Sequence, residues 1–142
     1  MKYILAFILA VSSLTANAGS LYLGGWSKHF GGSTDNDGYV LNENHQMVAI
    51  EYNNIFAGTM INSYHTRSYL LGYQLPLIED DRFNLDIAVG GVYGYKEEQL
   101  KVLRIGNMNG FGSLILEFNT PYVKPVVMLF GEAFVLNFKY EF

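Results

Sequence analysis

The sequence predicts an all-β fold, an eight-stranded antiparallel transmembrane β-barrel that follows a cleaved signal peptide. Three observations lead to this prediction. Apolar and polar residues alternate strictly over Ala133–Phe142, related alternation recurs in seven earlier segments, and a short apolar stretch opens the chain. An even number of amphipathic strands is typical of small barrels that span bacterial outer membranes.

The composition of the chain narrows the classes of protein to which it can belong. The 142 residues include no Cys, carry a formal net charge of −4, and are 15% aromatic and 15% charged. The lack of Cys excludes a disulfide scaffold and a thiolate metal site. The mild acidity argues against nucleic acid as a partner, and the aromatic content disfavours disorder. We therefore expect one folded domain rich in β structure.

The first eighteen residues have the three-part pattern of a secretory signal peptide. Lys2 supplies a positive start, Ile4–Val11 forms an apolar core, and Ala16-Asn17-Ala18 provides an A-x-A cleavage site. The apolar core is too short for a transmembrane helix, which needs about 20 residues. We predict cleavage after Ala18, which leaves residues 19–142 as the barrel domain. The alternative is a buried N-terminal strand or helix.

The C-terminal segment Ala133–Phe142 shows the alternation most clearly. Apolar side chains occupy one face of the extended chain and mostly polar side chains the other, which indicates a strand between two different environments. Aromatic residues at both ends of the apolar face suit the two interfaces of a membrane. The terminal Phe142 resembles the C-terminal signature of outer-membrane barrels, so the barrel assembly machinery is an expected partner.

Seven further segments complete the count of eight strands. The segments with clean alternation are Val48–Tyr52, Ser68–Leu75 and Phe83–Tyr93. The less regular segments are Ser20–Phe30, Ile55–Ser63, Gly110–Asn119 and Tyr122–Phe130. Because lipid does not tolerate open sheet edges, eight such strands are expected to form a closed barrel.

Short and long connections alternate along the chain, which predicts an orientation. Asn53-Asn54, Pro76–Arg82 and Asn119–Pro121 are short, whereas Gly31–Asn44 and Lys96–Asn109 are long. From a periplasmic N-terminus, the short turns fall in the periplasm and the long loops outside. Periodicity alone also fits a soluble lipocalin-like barrel or a sandwich with the two faces exchanged. The signal peptide and the aromatic strand ends favour the membrane.

On the membrane interpretation, several charged residues point into the barrel. An eight-stranded barrel is only wide enough to be filled by side chains, and buried charges are costly unless every member is paired. We therefore expect a paired, structural network rather than a channel for large solutes. The residues concerned are Glu51, Asp86, Glu117, Lys139 and Glu141, with Lys124 as a further candidate.

Potential catalytic residues gather at the predicted outer rim. His29 lies at the end of the first predicted strand, Ser63 at the end of the third, and Asn42-Glu43 at the end of the first long loop. A His beside a Ser can take the hydroxyl proton, which supports acyl chemistry. A third group should orient the imidazole, and Glu43, Asn62 and Asp37 are the options. The alternative is that His29 is a rim hydrogen-bonding residue and Ser63 a turn residue.

A metal site at the same rim is a weaker hypothesis. His45 and His65 lie near it together with several carboxylates, but no ligand spacing supports a metal ion. We therefore predict neither a metal nor a cofactor.

Two stretches resemble the lipid A palmitoyltransferases of the PagP type. After its third strand the family has Asp-Ser-aromatic, a short loop and a strand with Gly-Tyr, and this chain has Asn62-Ser63-Tyr64 followed by Gly72-Tyr73. In the first loop the family has Tyr-Asn-Glu, where this chain has Leu41-Asn42-Glu43. The resemblance covers approximately residues 26–73 and the last strand.

The resemblance implies an outer-membrane barrel that moves a palmitoyl chain from a phospholipid to lipid A, with an essential His, Asp and Ser at the extracellular rim. Ser63 then corresponds to the Ser and His29 to the His, although an alignment on Trp26 puts the family's His at Ser27. The family's Asp falls on Asn62. A neutral amide cannot stabilise an imidazolium as a carboxylate does, and Glu43 is the candidate substitute.

Further features separate this chain from the family. The family has an amphipathic helix before the barrel, whereas here the first strand follows the predicted cleavage site almost directly. The family's upper lumen is an apolar well that measures the acyl chain, and the sequence alone does not reveal one here. The family uses prolines to open gaps between strands, and Pro125 is the candidate here for a gap or a bulge.

The predicted function is that of a lipid acyltransferase-like barrel or a diverged relative, with His29 as general base and Ser63 as nucleophile or hydrogen-bond partner. Asn62 would orient one of them. The alternative is a non-catalytic surface barrel that binds lipopolysaccharide, or blocks or shields a receptor, through basic loop residues that can pair with phosphate. Those residues are Lys28, Arg67, Lys96, Lys101 and Arg104. A soluble ligand-binding barrel is the third hypothesis. We expect a monomer with membrane lipids as partners, located in the outer membrane.

Overall fold

A computed structural model describes residues 19–100 and 102–142 of the chain and shows a closed antiparallel β-barrel. The predicted signal peptide, residues 1–18, lies outside the described residues, as does Lys101 of the basic loop set. Among the described residues, no helix is long and apolar enough to cross a membrane.

Eight long strands form the barrel wall and one short strand extends it. The long strands are β1 (Gly19–His29), β2 (Asn44–Tyr52), β3 (Ile55–Ile61), β4 (Arg67–Glu79), β5 (Phe83–Tyr93), β7 (Met108–Phe118), β8 (Val123–Phe130) and β9 (Ala133–Glu141). The short strand is β6 (Arg104–Ile105), which pairs with the first residues of β7.

Each strand except β5 pairs with the next one along the chain, whereas β5 bypasses the short β6, and two further pairings complete the cylinder. The first joins β1 to β9, where Gly19 and Phe142 exchange two backbone hydrogen bonds of 2.9 Å. The second joins β5 to β7 over eleven residue pairs, from Phe83–Phe118 to Tyr93–Met108. The prediction of eight antiparallel strands in a closed barrel is confirmed, and the sandwich is excluded.

The strand boundaries differ from the prediction at three places. β2 begins at Asn44 and not at Val48, and β6 and the start of β7 fall within the predicted loop Lys96–Asn109. Pro76–Arg82 was expected to be a connection, but β4 continues through Pro76 to Glu79 and only residues 80–82 lie between the strands. The register of β4 against β5 shifts between Pro76 and Ile78. Proline has no N–H to donate to a ladder, so it is tolerated in strands at bulges such as this one.

The two ends of the barrel differ in the length of their connections. The turn end carries the chain end at Phe142 and the connections 53–54, 80–82 and 119–122. The loop end carries residues 30–43, 62–66, 94–107 and the tight turn 131–132. The predicted alternation of short and long connections is therefore present.

The outside of the barrel is apolar along most strands. Leu23, Leu71, Val89 and Phe138 are 46%, 59%, 45% and 39% exposed, while the residues that alternate with them face the lumen. Aromatic rings lie along the same outer surface, such as Trp26 against Phe138 and Phe30 against Phe134. Most of the large apolar side chains therefore point outward, while a smaller set that includes Tyr22 and Phe56 packs in the lumen.

The lumen near the turn end holds the predicted ionic network. Glu117, 1% exposed, lies 2.7 Å from the Lys139 ammonium and 3.0 Å from that of Lys124. Glu141 joins the same two lysines at 3.3 and 2.9 Å. A buried carboxylate is stable when its charge and lone pairs are matched, and here two ammonium groups do this. The expected pairing is confirmed for Glu117, Glu141, Lys124 and Lys139. It is wrong for Glu51 and Asp86, which accept hydrogen bonds from Ser20 and Gln74 and have no cation partner among the described residues.

Candidate functional site

The loop half of the lumen contains an apolar cavity of about 460 Å³. Its wall is built by inward side chains of several strands, and its mouth by loop residues that include His29, Ser63 and Tyr64. The volume lies in the range of about 300–1,000 Å³ that is usual for small-molecule sites. Apolar wall residues include Met47, Phe56, Met60, Leu70, Ile115 and Met128. The lumen thus has two parts: the ionic network around Glu117 near the turn end and the apolar cavity near the loop end.

A bulge in β1 decides which side chains reach the mouth of the cavity. Regular alternation from Tyr22 would point Trp26 and Lys28 into the lumen. Gly25 has no ladder partner in either neighbouring strand, so the phase changes and Ser27 faces inward while Trp26 faces outward. Gly25 has φ +87°, and an added Cβ would lie 2.9 Å from the Cβ of His45. A bulge that re-aims side chains is frequent beside functional sites.

His29 and Ser63 meet at the mouth of the cavity. The His29 Nε2 atom lies 3.1 Å from the Ser63 hydroxyl oxygen, within hydrogen-bonding distance. The other ring nitrogen of His29, Nδ1, is buried and has no hydrogen-bond partner. The structure therefore brings together the pair that the sequence singled out, and within residues 19–100 and 102–142 no third group bonds to the imidazole.

Asn62 supports the site from behind. Its side chain is fully buried and donates to the Ser68 hydroxyl at 3.0 Å and to the Gly94 carbonyl at 3.1 Å. Its side-chain oxygen accepts from the backbone N–H groups of Tyr64 and Thr66. The amide thus closes the turn 62–66 that presents Ser63, and its hydrogen bonds go to groups other than the His29 ring.

Glu43 lies at the rim but is engaged by other partners. Its carboxylate accepts from Lys28 Nζ at 3.1 and 3.2 Å and from the Ser33 hydroxyl at 2.9 Å. The hydrogen bonds from Lys28 and then from Ser33 lower the pKa of Glu43. It therefore ties the first long loop to β1, and it contributes negative charge near His29 without a direct hydrogen bond.

Tyr95 is a site residue that the sequence analysis missed. It follows β5, lines the cavity and stacks edge-on against Tyr64 with ring centroids 6.4 Å apart. Burial raises the pKa of Tyr95 to about 12, and the backbone and hydroxyl of Ser63, which face its phenol oxygen, offset part of that rise. Nothing in the spacing of the sequence distinguishes Tyr95 from the other tyrosines at strand ends.

The remaining histidines have separate surroundings. His45 is buried beside Ser27, with its ring nitrogens on the Ser27 hydroxyl and the Ile61 carbonyl. His65 is exposed in the turn 62–66, and its ring packs against Tyr39 at 6.3 Å. Over residues 19–100 and 102–142, no group of three His, Asp or Glu residues is placed to hold a metal ion.

The barrel wall is incomplete beside the cavity. On its second edge, β7 pairs with β6 at Met108 and Asn109 and with β8 from Ser113 to Glu117, which leaves residues 110–112 without a ladder partner. The rings of Phe111 and Phe130 lie 5.2 Å apart next to this interruption. Pro125 forms no bulge against β9, because the register passes unbroken through its pair with Phe138.

Comparison with known proteins gives no assignment. No protein-family model, no curated protein and no solved structure matches this chain.

Proposed function

We propose that this chain is an outer-membrane acyltransferase-like barrel that moves a palmitoyl-type acyl chain from a phospholipid to lipid A. The observation that carries the proposal is the 3.1 Å contact between His29 Nε2 and the Ser63 hydroxyl at the mouth of an apolar cavity. A base next to a hydroxyl, opening onto apolar space, is the combination that acyl transfer from a lipid requires.

The outer surface supports a location in a membrane. Large apolar and aromatic side chains cover the outside, whereas Glu117, Lys124 and Lys139 of the strands are paired inside the lumen. Lipid-facing barrels have this arrangement, and soluble barrels have the reverse. With the short turns in the periplasm, the cavity and the His29–Ser63 pair lie in the outer leaflet, where lipid A is found.

The cavity and the interrupted wall support a lipid substrate. An apolar lumen gives an acyl chain an environment similar to the bilayer, so entry does not require burial of polar groups. Residues 110–112 of β7 have no partner in β8, and one of them, Phe111, lines the cavity. A lipid chain entering from the side would pass between the outer ends of β7 and β8.

Two roles for Ser63 are consistent with this geometry. As nucleophile, Ser63 attacks the ester carbonyl while His29 takes its proton. As hydrogen-bond partner, Ser63 holds the His29 ring while the imidazole removes a proton from the hydroxyl of the acceptor lipid. In both roles His29 is the general base.

A non-catalytic surface barrel is the second candidate, and one observation favours it. The His29 Nδ1 atom has no partner, Asn62 is committed to its own turn, and Glu43 is paired with Lys28. An imidazole without an orienting group is a poor base. Such a barrel would bind lipopolysaccharide, or block or shield a receptor, through its outer loops.

Mass spectrometry of lipid A tests the proposal. The wild-type chain, His29→Asn and Ser63→Ala would be expressed in cells that lack their own palmitoyltransferase, with heat-modifiable gel migration as the check on folding. We expect an added acyl chain in the wild type and a loss of about 10²-fold or more in the His29 variant. His65→Asn is the matched control, because His65 lies at the same rim without contacting Ser63.

Unmodified lipid A in cells that hold a folded wild-type barrel would reject the acyltransferase and support the non-catalytic barrel. Acyl transfer that persists in both site variants would retain the activity but reject the His29–Ser63 assignment.

A further inference from the structure

A second Ser–His pair lies at the same end of the barrel, one step away along β1. The Ser27 hydroxyl oxygen is 2.8 Å from His45 Nε2, and the His45 Nδ1 atom is 2.7 Å from the Ile61 carbonyl oxygen. Both side chains are buried, with Ser27 8% and His45 4% exposed. These three groups belong to β1, β2 and β3, so the barrel wall itself holds them together.

The chemistry of the contacts fixes the tautomer of His45. A backbone carbonyl only accepts, so the Nδ1 atom facing Ile61 must carry the proton. In the neutral ring Nε2 then presents a lone pair, and the Ser27 hydroxyl has to be the donor to it. A serine that donates to a histidine whose far nitrogen is anchored has the arrangement that general-base activation requires. His29 lacks such an anchor, because its Nδ1 atom has no partner.

The local backbone places His45 in the cavity wall and Ser27 directly beside it, outside the lining residues. His45 lines the cavity together with Val135, the residue that pairs with Ser27 across β9. The Gly25 bulge turns Ser27 inward, and its lack of a side chain leaves room for the His45 ring. Without both features, the Ser27 hydroxyl would not meet the imidazole.

We propose that Ser27 is a second nucleophile of the cavity, activated by His45, and that it takes up an acyl group covalently from an ester-linked lipid. This inference rests on the proposed function for the class of substrate. The Ser27 Oγ atom bonds to the ester carbonyl carbon, and its proton passes to His45 Nε2. The bond from that carbon to the alcohol oxygen then breaks, and the released alcohol takes the proton. A hydroxyl of an acceptor lipid, or water, removes the acyl group by the reverse steps.

A long-chain alkyl fluorophosphonate tests this assignment on the folded barrel in detergent micelles. The reagent forms a phosphorus–oxygen bond with an activated serine and releases fluoride. Cleavage after Lys28 and Arg67 places Ser27 and Ser63 on different tryptic peptides, so the modified serine can be read directly. We expect the label on Ser27 in the wild type, His29→Asn and Ser63→Ala, and about 10²-fold slower labelling in His45→Gln.

A thiol version of the experiment covers the case in which His45→Gln does not fold. The chain has no Cys, so Ser27→Cys introduces a single thiol. A histidine within hydrogen-bonding distance promotes the thiolate. Iodoacetamide should therefore modify Ser27→Cys faster than Ser113→Cys, because the Ser113 hydroxyl lines the cavity but bonds a backbone carbonyl and not a histidine. Equal or slower modification of Ser27→Cys would overturn the inference.

The outcomes separate this inference from the proposed function. A label confined to Ser63 and dependent on His29 overturns the role of Ser27 and supports the His29–Ser63 site. A folded barrel that takes no label at any serine overturns the inference, whereas the lipid A measurement still decides the proposed function. Unchanged lipid A acylation by Ser27→Ala would also overturn it.

Discussion

Asn62 makes four hydrogen bonds that hold the turn beneath Ser63. Two of them use the amide as a donor, to the Ser68 hydroxyl and the Gly94 carbonyl, and two use its oxygen as an acceptor. A carboxylate has no donor for the Gly94 carbonyl. The local structure therefore explains why an amide occupies this position. A comparison of residue types alone, with Asn62 here and Asp in the palmitoyltransferases, does not reveal these hydrogen bonds.

We predict that Asn62→Asp lowers stability and does not raise acyl transfer. Leaving the Gly94 carbonyl unsatisfied in a buried place costs about 1–3 kcal/mol, and the buried charge adds to this cost. The midpoint of urea unfolding, followed by heat-modifiable migration, measures the loss. Asn107→Asp in the exposed β6–β7 turn is the control with the same change of charge. An Asn62→Asp barrel of wild-type stability would show that these donors contribute nothing.

At the scale of the element, one inserted residue, Gly25, lets β1 serve both as barrel wall and as the support for two candidate site residues, Ser27 and His29. Before Gly25 the even-numbered residues Ser20 and Tyr22 point into the lumen. After Gly25 the odd-numbered residues do so. The same insertion turns both Ser27 and His29 inward, and His29 lines the cavity. A strand without it would place Lys28 and Trp26 in the lumen, where neither the cavity nor the two serine–histidine pairs could form.

Gly25→Ala should be clearly more destabilising than Gly32→Ala. Both glycines have positive φ, +87° and +98°, so both variants carry backbone strain of about 1–2 kcal/mol. At Gly25 the new Cβ also meets Met47 and His45 at 2.8 and 2.9 Å, whereas Gly32 is open. Overpacking adds about 1–3 kcal/mol. Equal urea midpoints for the two variants would indicate that the bulge adapts without displacing His45.

For the whole molecule, the division of polar and apolar groups runs opposite to that of a soluble domain. The ionic floor around Glu117 and the apolar cavity share the lumen, and the apolar belt faces outward. The closed ladder leaves no strand edge along most of the wall, as a lipid environment requires. Ladders stop short of the loop end between β7 and β8 and between β2 and β3, and the first of these places is the entry point that we propose for a lipid chain.

Leu71→Arg and Leu77→Arg distinguish a membrane barrel from a soluble one. Leu71 faces outward in the middle part of β4, and Leu77 faces outward near the turn end. In a bilayer, Arg costs about 2–4 kcal/mol near the midplane and about 0–1 kcal/mol near an interface. We therefore expect a large loss for Leu71→Arg and a small one for Leu77→Arg when unfolding is measured in lipid vesicles. Two equally small losses would favour a soluble barrel.

The sequence by itself determined the strand pattern, because the alternation of apolar and polar residues is visible within each strand and does not depend on which strands are in contact. It placed all eight strands, the paired charges of the lumen and the approach of His29 to Ser63, since these depend only on strand count and on which end each residue occupies. The extent of the turn after Pro76 was wrong, because a bulge lets a strand pass through proline.

Only the tertiary structure decided the surroundings of each side chain at the rim. The partners of Asn62, the pairing of His45 with Ser27 and the approach of Tyr95 to Ser63 join residues that are far apart in the chain. Their distances depend on register, bulges and loop paths, which alternation does not encode. The cavity is lined by inward side chains from several strands. Its size and shape therefore depend on how the closed barrel brings these side chains together, which the pattern of a single strand does not show.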